Sequence, residues 1–465
     1  MAVMRMLLLL ALLSMDAMAA LRAGAAAVDI TPVEWPVRLI GNFGITMSKE
    51  AHDPLHVRAI VLDDGATKIA IALVDSCYVK REELDRAKAL ASKRTGIPAT
   101  RMLISATHTH SAPPSRADAG NAVEERYVER LVTQTAEAIG QANSRLAPAR
   151  MGWMVIPVPD ELFNRRWFMK PGSIPPDPFG QTTDIARMNP PAGSKDLIHP
   201  AGPTDPGFSI VSLQTADGKP LALLANYSLH YVGGIGGSMV SADYFGEFSK
   251  LVGEKLAPGQ PFVAMLTNGT SGDVNNIDFL HSRPRMEPFQ RIREVAGKLA
   301  DHAVEAAGKM QYRTEAPIRM AQSELRLRYR RPTAEQMRFA QAALQEPDEK
   351  KLPRNAKAYA ERAMRLQQGP ETADLVLQAV RIGELGIAAI PCETFTEIGL
   401  SIKELSPMPT TFTIELANGH YGYLPTPRHY ALGGYETWLG TNNLEQEAAP
   451  KILKRILELL GQVRK

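Results

Sequence analysis

The sequence predicts an α/β protein in which mixed β-sheets are layered with helices. Three observations carry this. Apolar runs of strand length alternate with helical stretches along the chain, tight turn signals join several neighbouring runs into hairpins, and no tandem repeat at solenoid or propeller spacing interrupts the pattern. With 465 residues, 45% of them hydrophobic, the chain can build a substantial core.

Residues 1–19 read as a cleavable secretory signal: Arg5 gives the positive start, Met6 to Met15 the apolar run, and Ala17-Met18-Ala19 the small-x-small cleavage site. Residues 20–465 are then expected to form one domain. Ala25 to Ile30 opens it as a strand, closed by Asp29-Ile30-Thr31-Pro32. Val57 to Leu62 and Lys68 to Val74 form a hairpin through Asp63-Asp64-Gly65. A helix from about Arg81 to Arg94 shows an apolar face of Leu84, Ala87 and Leu90. The strand Arg101 to Ala106 and a long helix from about Ala122 to Ala142 follow. Residues 165 to 207, rich in Pro and Gly, read as irregular loop structure.

Strands resume at Phe208 to Gln214 and Leu221 to Leu229. Tyr244 to Leu256 and Arg291 to Gly308 read as helices around the strand Pro261 to Leu266. A charged helical hairpin is inserted at about 333–370. Leu375 to Ile382 and Leu385 to Ile390 pair through Gly383-Glu384, and strand Thr411 to Leu416, a Gly/Tyr-rich loop and helix Leu444 to Gln462 end the order.

The formal charge is +3, and it is unchanged without residues 1–19 because Arg5 and Asp16 leave together. No basic block argues for nucleic acid. No later segment offers the roughly 20 apolar residues a membrane span needs, so the expectation is a soluble, exported protein, secreted or periplasmic, that reaches a membrane at most peripherally. Cys77 and Cys392 each follow an apolar strand and read as two unpaired buried thiols.

The run Thr107-His108-Thr109-His110-Ser111-Ala112-Pro113 is the most informative stretch. In an extended segment His108 and His110 share one face, where two imidazoles fill a core poorly but suit a borderline-soft cation. The spacing alone leaves metal binding, catalysis and a structural hydrogen-bonding pair open. Further polar residues close other apolar runs: His230 after Leu221 to Leu229, and Glu393 after Ile387 to Cys392. Tyr423 and Tyr435 lie in the loop Asn418 to Glu436. Ligands of open α/β sheets gather beyond the carboxyl ends of strands.

Taken together these segments resemble the neutral/alkaline ceramidase family, in the family's order. Its Thr-His-Thr-His-Ser-x-Pro run matches Thr107 to Pro113, its Asn–His strand matches Asn226 to His230 in shortened form, and its Ser-x-Asp segment resembles Ser241-Ala242-Asp243. Its Ile-Pro-x-Glu segment matches Ile390 to Glu393, its tyrosine loop Asn418 to Glu436, and its Asn-Arg pair Asn164-Arg165. The resemblance implies zinc held by His108, His230, Glu393 and Tyr423, with His110, Arg165 and Tyr435 around the reacting group. The activity it implies is ceramidase-like hydrolysis of an amide bond, with a small-molecule or lipid substrate as partner.

Two departures stand out. Gly272-Asp273-Val274-Asn275-Asn276 places Asn275 where the family has a serine, and no counterpart of the family's C-terminal immunoglobulin-like domain is expected. Zinc-bound water is therefore the expected nucleophile. Tyr435 and Arg165 are expected to donate to the oxyanion, and His110 to carry the proton. Asp243 and Asp273 are candidates to orient a ligand imidazole, or to cap helices. Asn164-Arg165-Arg166-Trp167-Phe168 is expected either to line the substrate entrance or to be ordinary packing. A polar N-acylated or esterified sugar is the alternative substrate, and a metal-retaining binding protein the non-enzymatic alternative.

Overall fold

The computed structural model describes residues 20–41, 44–282 and 284–465. The signal segment 1–19 lies outside the described residues. Two sheets stack face to face with helices on both outer faces. The larger has eight strands in the order Val263–Asn268, Pro220–Tyr227, Gly207–Thr215, Ala147–Pro157, Arg22–Asp29, His56–Asp63, Lys68–Val74 and Met102–Ala106. The smaller has Ile318–Arg328, Thr372–Ile382, Leu385–Ala389 and Thr410–Ile414.

Strand alternation builds this layering. In His56–Asp63, Val57, Ala59 and Val61 face the helices α1 (Arg81–Thr95) and α2 (Ala122–Ser144), meeting Leu84, Leu131 and Ile139. Ile60 and Leu62 face the other way, into a core shared with Val380, Ile387 and Phe412 of the smaller sheet. Leu223 and Ala225 cover α3 (Asp243–Leu256) and α4 (Gln290–Lys309) through Phe245, Phe248 and Leu299. Beneath the smaller sheet, Leu375 and Leu377 pack on α7 (Thr396–Leu405) and α9 (Ala448–Arg464) through Ile402 and Ile456. Burying each such Val, Leu, Ile or Phe side chain contributes about 1.5–3 kcal/mol.

Local signals fix the ends of these elements. The Asn121 side chain accepts the Glu124 amide at the start of α2, and Gly96, at φ +72°, ends α1. Gly24 lets the first strand lie against the end of α2, since a Cβ there would sit 2.1 Å from the Ala142 carbonyl oxygen.

The mixed α/β class stands, and both expected hairpins form. Two strands of the stacked sheets escaped the sequence reading. Ala147–Pro157 sits inside the larger sheet although Pro148 and Gly152 interrupt its pattern. Ile318–Arg328 is an edge strand whose charged, half-exposed residues hide its two-residue period. The expected irregular segment 165–207 contains a small sheet of Arg166–Met169, Ala186–Met188 and Leu197–Pro200. The inserted hairpin is α5 (Ala334–Gln345) and α6 (Ala356–Gln368), packed around the buried Tyr359. Both cysteines are buried and free. No helix among the described residues is long and apolar enough to cross a membrane.

Three parallel pairs place the site: Lys68–Val74 with Met102–Ala106, Pro220–Tyr227 with Val263–Asn268, and Leu385–Ala389 with Thr410–Ile414. Parallel neighbours end side by side, so the segments that follow them converge.

Glu397 ties α7 to α8 (Pro427–Leu432): its carboxylate accepts from Thr426 Oγ1 and Arg428 Nε, each at 2.9 Å. Burial alone would raise its pKa, but the neighbouring His429 imidazole and Arg428 guanidinium prevail and hold it at about 2. A folded value below the unfolded one gives stability that is complete above pH 4.5 and lost as pH falls from 4.5 toward 2. In urea titrations the midpoint difference between wild type and Glu397→Gln should therefore shrink steadily over that window; a constant difference would remove the carboxylate's charge from the account.

Candidate metal centre

The larger sheet's edge strand stops at Ala106, and the chain turns sharply before His108. His108 itself has φ +75°, held there while its amide donates to Ser76 O at 2.9 Å. The two histidines therefore do not share the face of an extended strand, as the spacing suggested. They meet because the backbone leaves the sheet, with ring planes at 86° and centroids 4.7 Å apart. His230 likewise lies three residues beyond its strand.

The imidazoles converge through their Nε2 atoms. His108 Nε2 lies 3.0 Å from His230 Nε2 and 3.2 Å from His110 Nε2. Glu393 Oε2 completes the group at 3.3 Å from His108 Nε2 and 4.0 Å from His230 Nε2. Glu393 arrives on a short bridge in which it pairs directly with Tyr423. All four side chains of His108, His230, Glu393 and Tyr423 are buried.

Hydrogen bonds behind the rings decide their chemistry. His108 Nδ1 donates to Cys77 O at 2.7 Å and His230 Nδ1 to Ser271 O at 3.1 Å. Both inward Nε2 atoms thus carry lone pairs, and Glu393 Oε2 is a buried oxygen with no hydrogen-bond partner. Such a set requires a positive species at its centre. Without a cation, one proton on His108 supplies it. Burial would lower the pKa of that ring, but Cys77 and Glu393 raise it well above the ordinary histidine value. Burial and the neighbouring cations push His110 and His230 well below it. Burial would raise the Glu393 pKa, yet His108 and His420 hold it well down. His108, His230 and Glu393 can accordingly hold a metal ion, their ligand atoms all lying within 4.8 Å of one another.

Groups the sequence reading missed stand behind the ligands. His420 Nε2 donates to Glu393 Oε1 at 3.0 Å, its ring stacked on Tyr78 at 4.2 Å. Ser271 Oγ bonds Glu415 Oε1 at 2.7 Å, and the Thr394 amide bonds Glu415 Oε2 at 2.6 Å, tying the His230 and Glu393 supports together. The two expected aspartates do other work. Asp243 accepts the Val232 and Gly233 amides at 3.0 and 2.8 Å, fixing the loop after His230. Asp273 accepts from Thr396 and Asn164. Neither contacts a ligand imidazole.

Asn164 to Trp167 is interior, not an entrance surface: Arg165, Arg166 and Trp167 are all buried. Glu436 bonds Arg165 Nε at 2.9 Å and Arg166 Nη1 at 2.6 Å. Arg165 lies 5.3 Å over the Tyr423 ring and keeps one nitrogen, Nη2, without a hydrogen-bond partner. Asn275 bonds Asn189 Oδ1 and the Ile277 amide.

A cavity of about 620 Å³ opens over this group. His108, His110, Glu393, Tyr423 and Tyr435 reach its wall, whereas His230, Arg165 and Asn275 do not. Burial holds the Tyr423 and Tyr435 phenols well above the ordinary tyrosine value, which keeps Tyr435 an O–H donor.

Two variants check this arrangement. His420→Ala should weaken metal affinity about 10–100-fold in a chelator competition, because Glu393 loses its orienting partner. Glu436→Ala leaves two buried guanidinium groups unpaired and should cost about 3–5 kcal/mol in denaturant unfolding. A loss below about 1 kcal/mol would mean that water relieves those charges.

No protein-family model matches the chain. Among solved structures it is similar to neutral ceramidase from Pseudomonas aeruginosa, at 19% identity and a TM-score of 0.71, covering 96% of this chain and 75% of that one. It is also similar to a ceramidase complexed with C2, at 18% identity and a TM-score of 0.72, with the same coverage. The chain therefore has the neutral ceramidase fold.

Proposed function

We propose that the chain is an exported, zinc-dependent hydrolase of a C–N amide bond, ceramidase-like in its chemistry. The observation that carries this is the inward set of two lone-pair imidazoles and an unpartnered carboxylate oxygen, exposed on one side to a cavity that also holds acid–base groups. Two imidazoles with a hard oxygen suit zinc, and an open side distinguishes a catalytic from a structural site. His108, His230, Glu393 and Tyr423 would hold the ion. The solved structures of this fold named above are ceramidases, which agrees with amide hydrolysis.

A zinc ion held there would supply Lewis-acid chemistry, making water more acidic and polarising the scissile carbonyl. His110, kept neutral by burial, has its Nε2 directed at the ligand group and can accept the proton of the attacking water. Water oxygen bonds to the carbonyl carbon, the C–N bond breaks, and His110 returns the proton to the departing nitrogen. Tyr435, on the cavity wall, donates toward the oxyanion, a role worth about 2.7–4 kcal/mol per donor, whereas Arg165, off that wall, backs the Tyr423 ring instead. Asn275 lies off the cavity wall with its amide engaged, so the nucleophile in this reading is water.

Zinc-loaded protein should hydrolyse N-acyl substrates and lose that activity on chelation. His108→Ala should abolish both metal and turnover, while Tyr435→Phe should retain zinc and lose about 10²–10³ in kcat. Hydroxylamine added during turnover should yield no hydroxamate beyond the uncatalysed background. Hydrolysis by metal-free His108→Ala protein would overturn the reading.

A further inference from the structure

The cavity wall outside the ligand group has an unexpected charge. Arg38, Lys80, Arg362 and Arg365 line it, and Glu393 is the one carboxylate on it among the described residues. The partners of two of these cations stand outside the cavity. Arg38 pairs with Glu124 and Asp118, at 2.9 and 2.8 Å, and Arg365 pairs with Glu361 at 3.8 Å. Lys80 differs, because no carboxylate lies within ion-pair distance of it among the described residues. Its Nζ contacts His420 Nδ1 at 3.4 Å and lies 4.7 Å from the centroid of the Tyr78 ring.

Position makes Lys80 informative. His420 spans the gap between Lys80 and Glu393, bonding Glu393 Oε1 through its other nitrogen. One imidazole ring therefore separates the ammonium group from the carboxylate of the ligand set. Burial, followed by the Arg116 charge, holds the Lys80 pKa down at about 8, the signature of a cation short of a counter-charge. The apolar residues of the wall, Leu39, Ile40, Ile45 and Leu366, offer a separate place for a hydrocarbon chain.

We propose that the substrate is an N-acyl compound bearing a compact anion, carboxylate or phosphate, that binds Lys80 with Arg362 and Arg365 while its acyl chain lies on the apolar wall. This rests on the amide-hydrolase reading above and narrows it. A neutral two-chain lipid amide would leave the ammonium group unpaired, whereas an anion beside it gains a charge-assisted hydrogen bond. Such a bond is worth tenfold or more in affinity.

Matched pairs test this with the zinc-loaded protein: N-hexanoylglycine against N-hexanoylglycinamide, and N-hexanoyl-O-phosphoethanolamine against N-hexanoylethanolamine. At least one anionic member should show a KM about tenfold or more below its neutral partner, and the better pair identifies carboxylate or phosphate. That ratio should fall about tenfold in Lys80→Gln, and in Arg365→Gln, an exposed position that keeps the test alive if the first variant misfolds. Neutral members processed as well as anionic ones would overturn the anion site and leave the hydrolase intact. Turnover of neither pair would count against the hydrolase reading instead. Calorimetric binding of N-hexanoylglycine and its amide would then still decide the anion site: preferential, salt-sensitive binding of the acid supports it, and equal binding rejects it.

Discussion

Two imidazole lone pairs and a carboxylate oxygen are held within contact distance of one another. The rest of the structure can be understood as the means of enforcing that constraint. Carbonyl oxygens at Cys77 and Ser271 commit each Nδ1 proton outward, which fixes the tautomer and leaves the inward nitrogens without hydrogen to share. Left alone, such a cluster would swing apart. It is kept closed by the left-handed backbone of His108, a conformation costing about 1–3 kcal/mol that persists only where the surroundings over-determine it. A central cation turns mutual repulsion into attraction, so strain and ligand set have one explanation.

Much of the fold was legible because its strands and helices obey simple periods. The His56–Asp63 and Lys68–Val74 hairpin announced itself through Asp64-Gly65, and α1 through its apolar face. Ala147–Pro157 was hidden because a central strand containing Pro and Gly draws its stability from neighbours on both sides rather than from its own composition. At the site, His108, His110, Glu393, Tyr423 and Tyr435 could be selected from sequence because they end strands or share one loop, and the structure gathers them at one cavity. Their geometric cause was not legible, since two-residue spacing implies an extended strand and the chain reaches the same end by leaving one.

The supporting residues were harder to see for a physical reason. Ligands are delivered by strand ends, which leave a pattern, whereas their supports act across 21, 27 and 144 positions. Glu415 reaches Ser271 and Thr394 from another strand's end, and although it lies in an expected strand, nothing near it in sequence names those partners. His420 had a weak signal, lying three residues before Tyr423 in the same Gly/Tyr loop. Lys80 had none, because a lysine just before a helix reads as solvated. Asp243 and Asp273 show the converse: acidic residues beside matching motifs hold backbone amides and side chains rather than imidazoles.

The floor and the walls of the cavity have different origins in the chain, which lets reaction and substrate vary separately. The floor comes from segments that follow the parallel strand pairs, and its geometry is set by hydrogen bonds among them. The walls come from the hairpin Val37–Leu39 with Thr46–Ser48, from the residue before α1, and from the inserted α6. A charge added to α6 changes which molecule is attracted without moving an imidazole. Its core around Tyr359 is separate from the layers that position the ligands. Likeness of fold to ceramidases therefore bears on the floor, while the cations Lys80, Arg362 and Arg365 speak for a substrate of different charge.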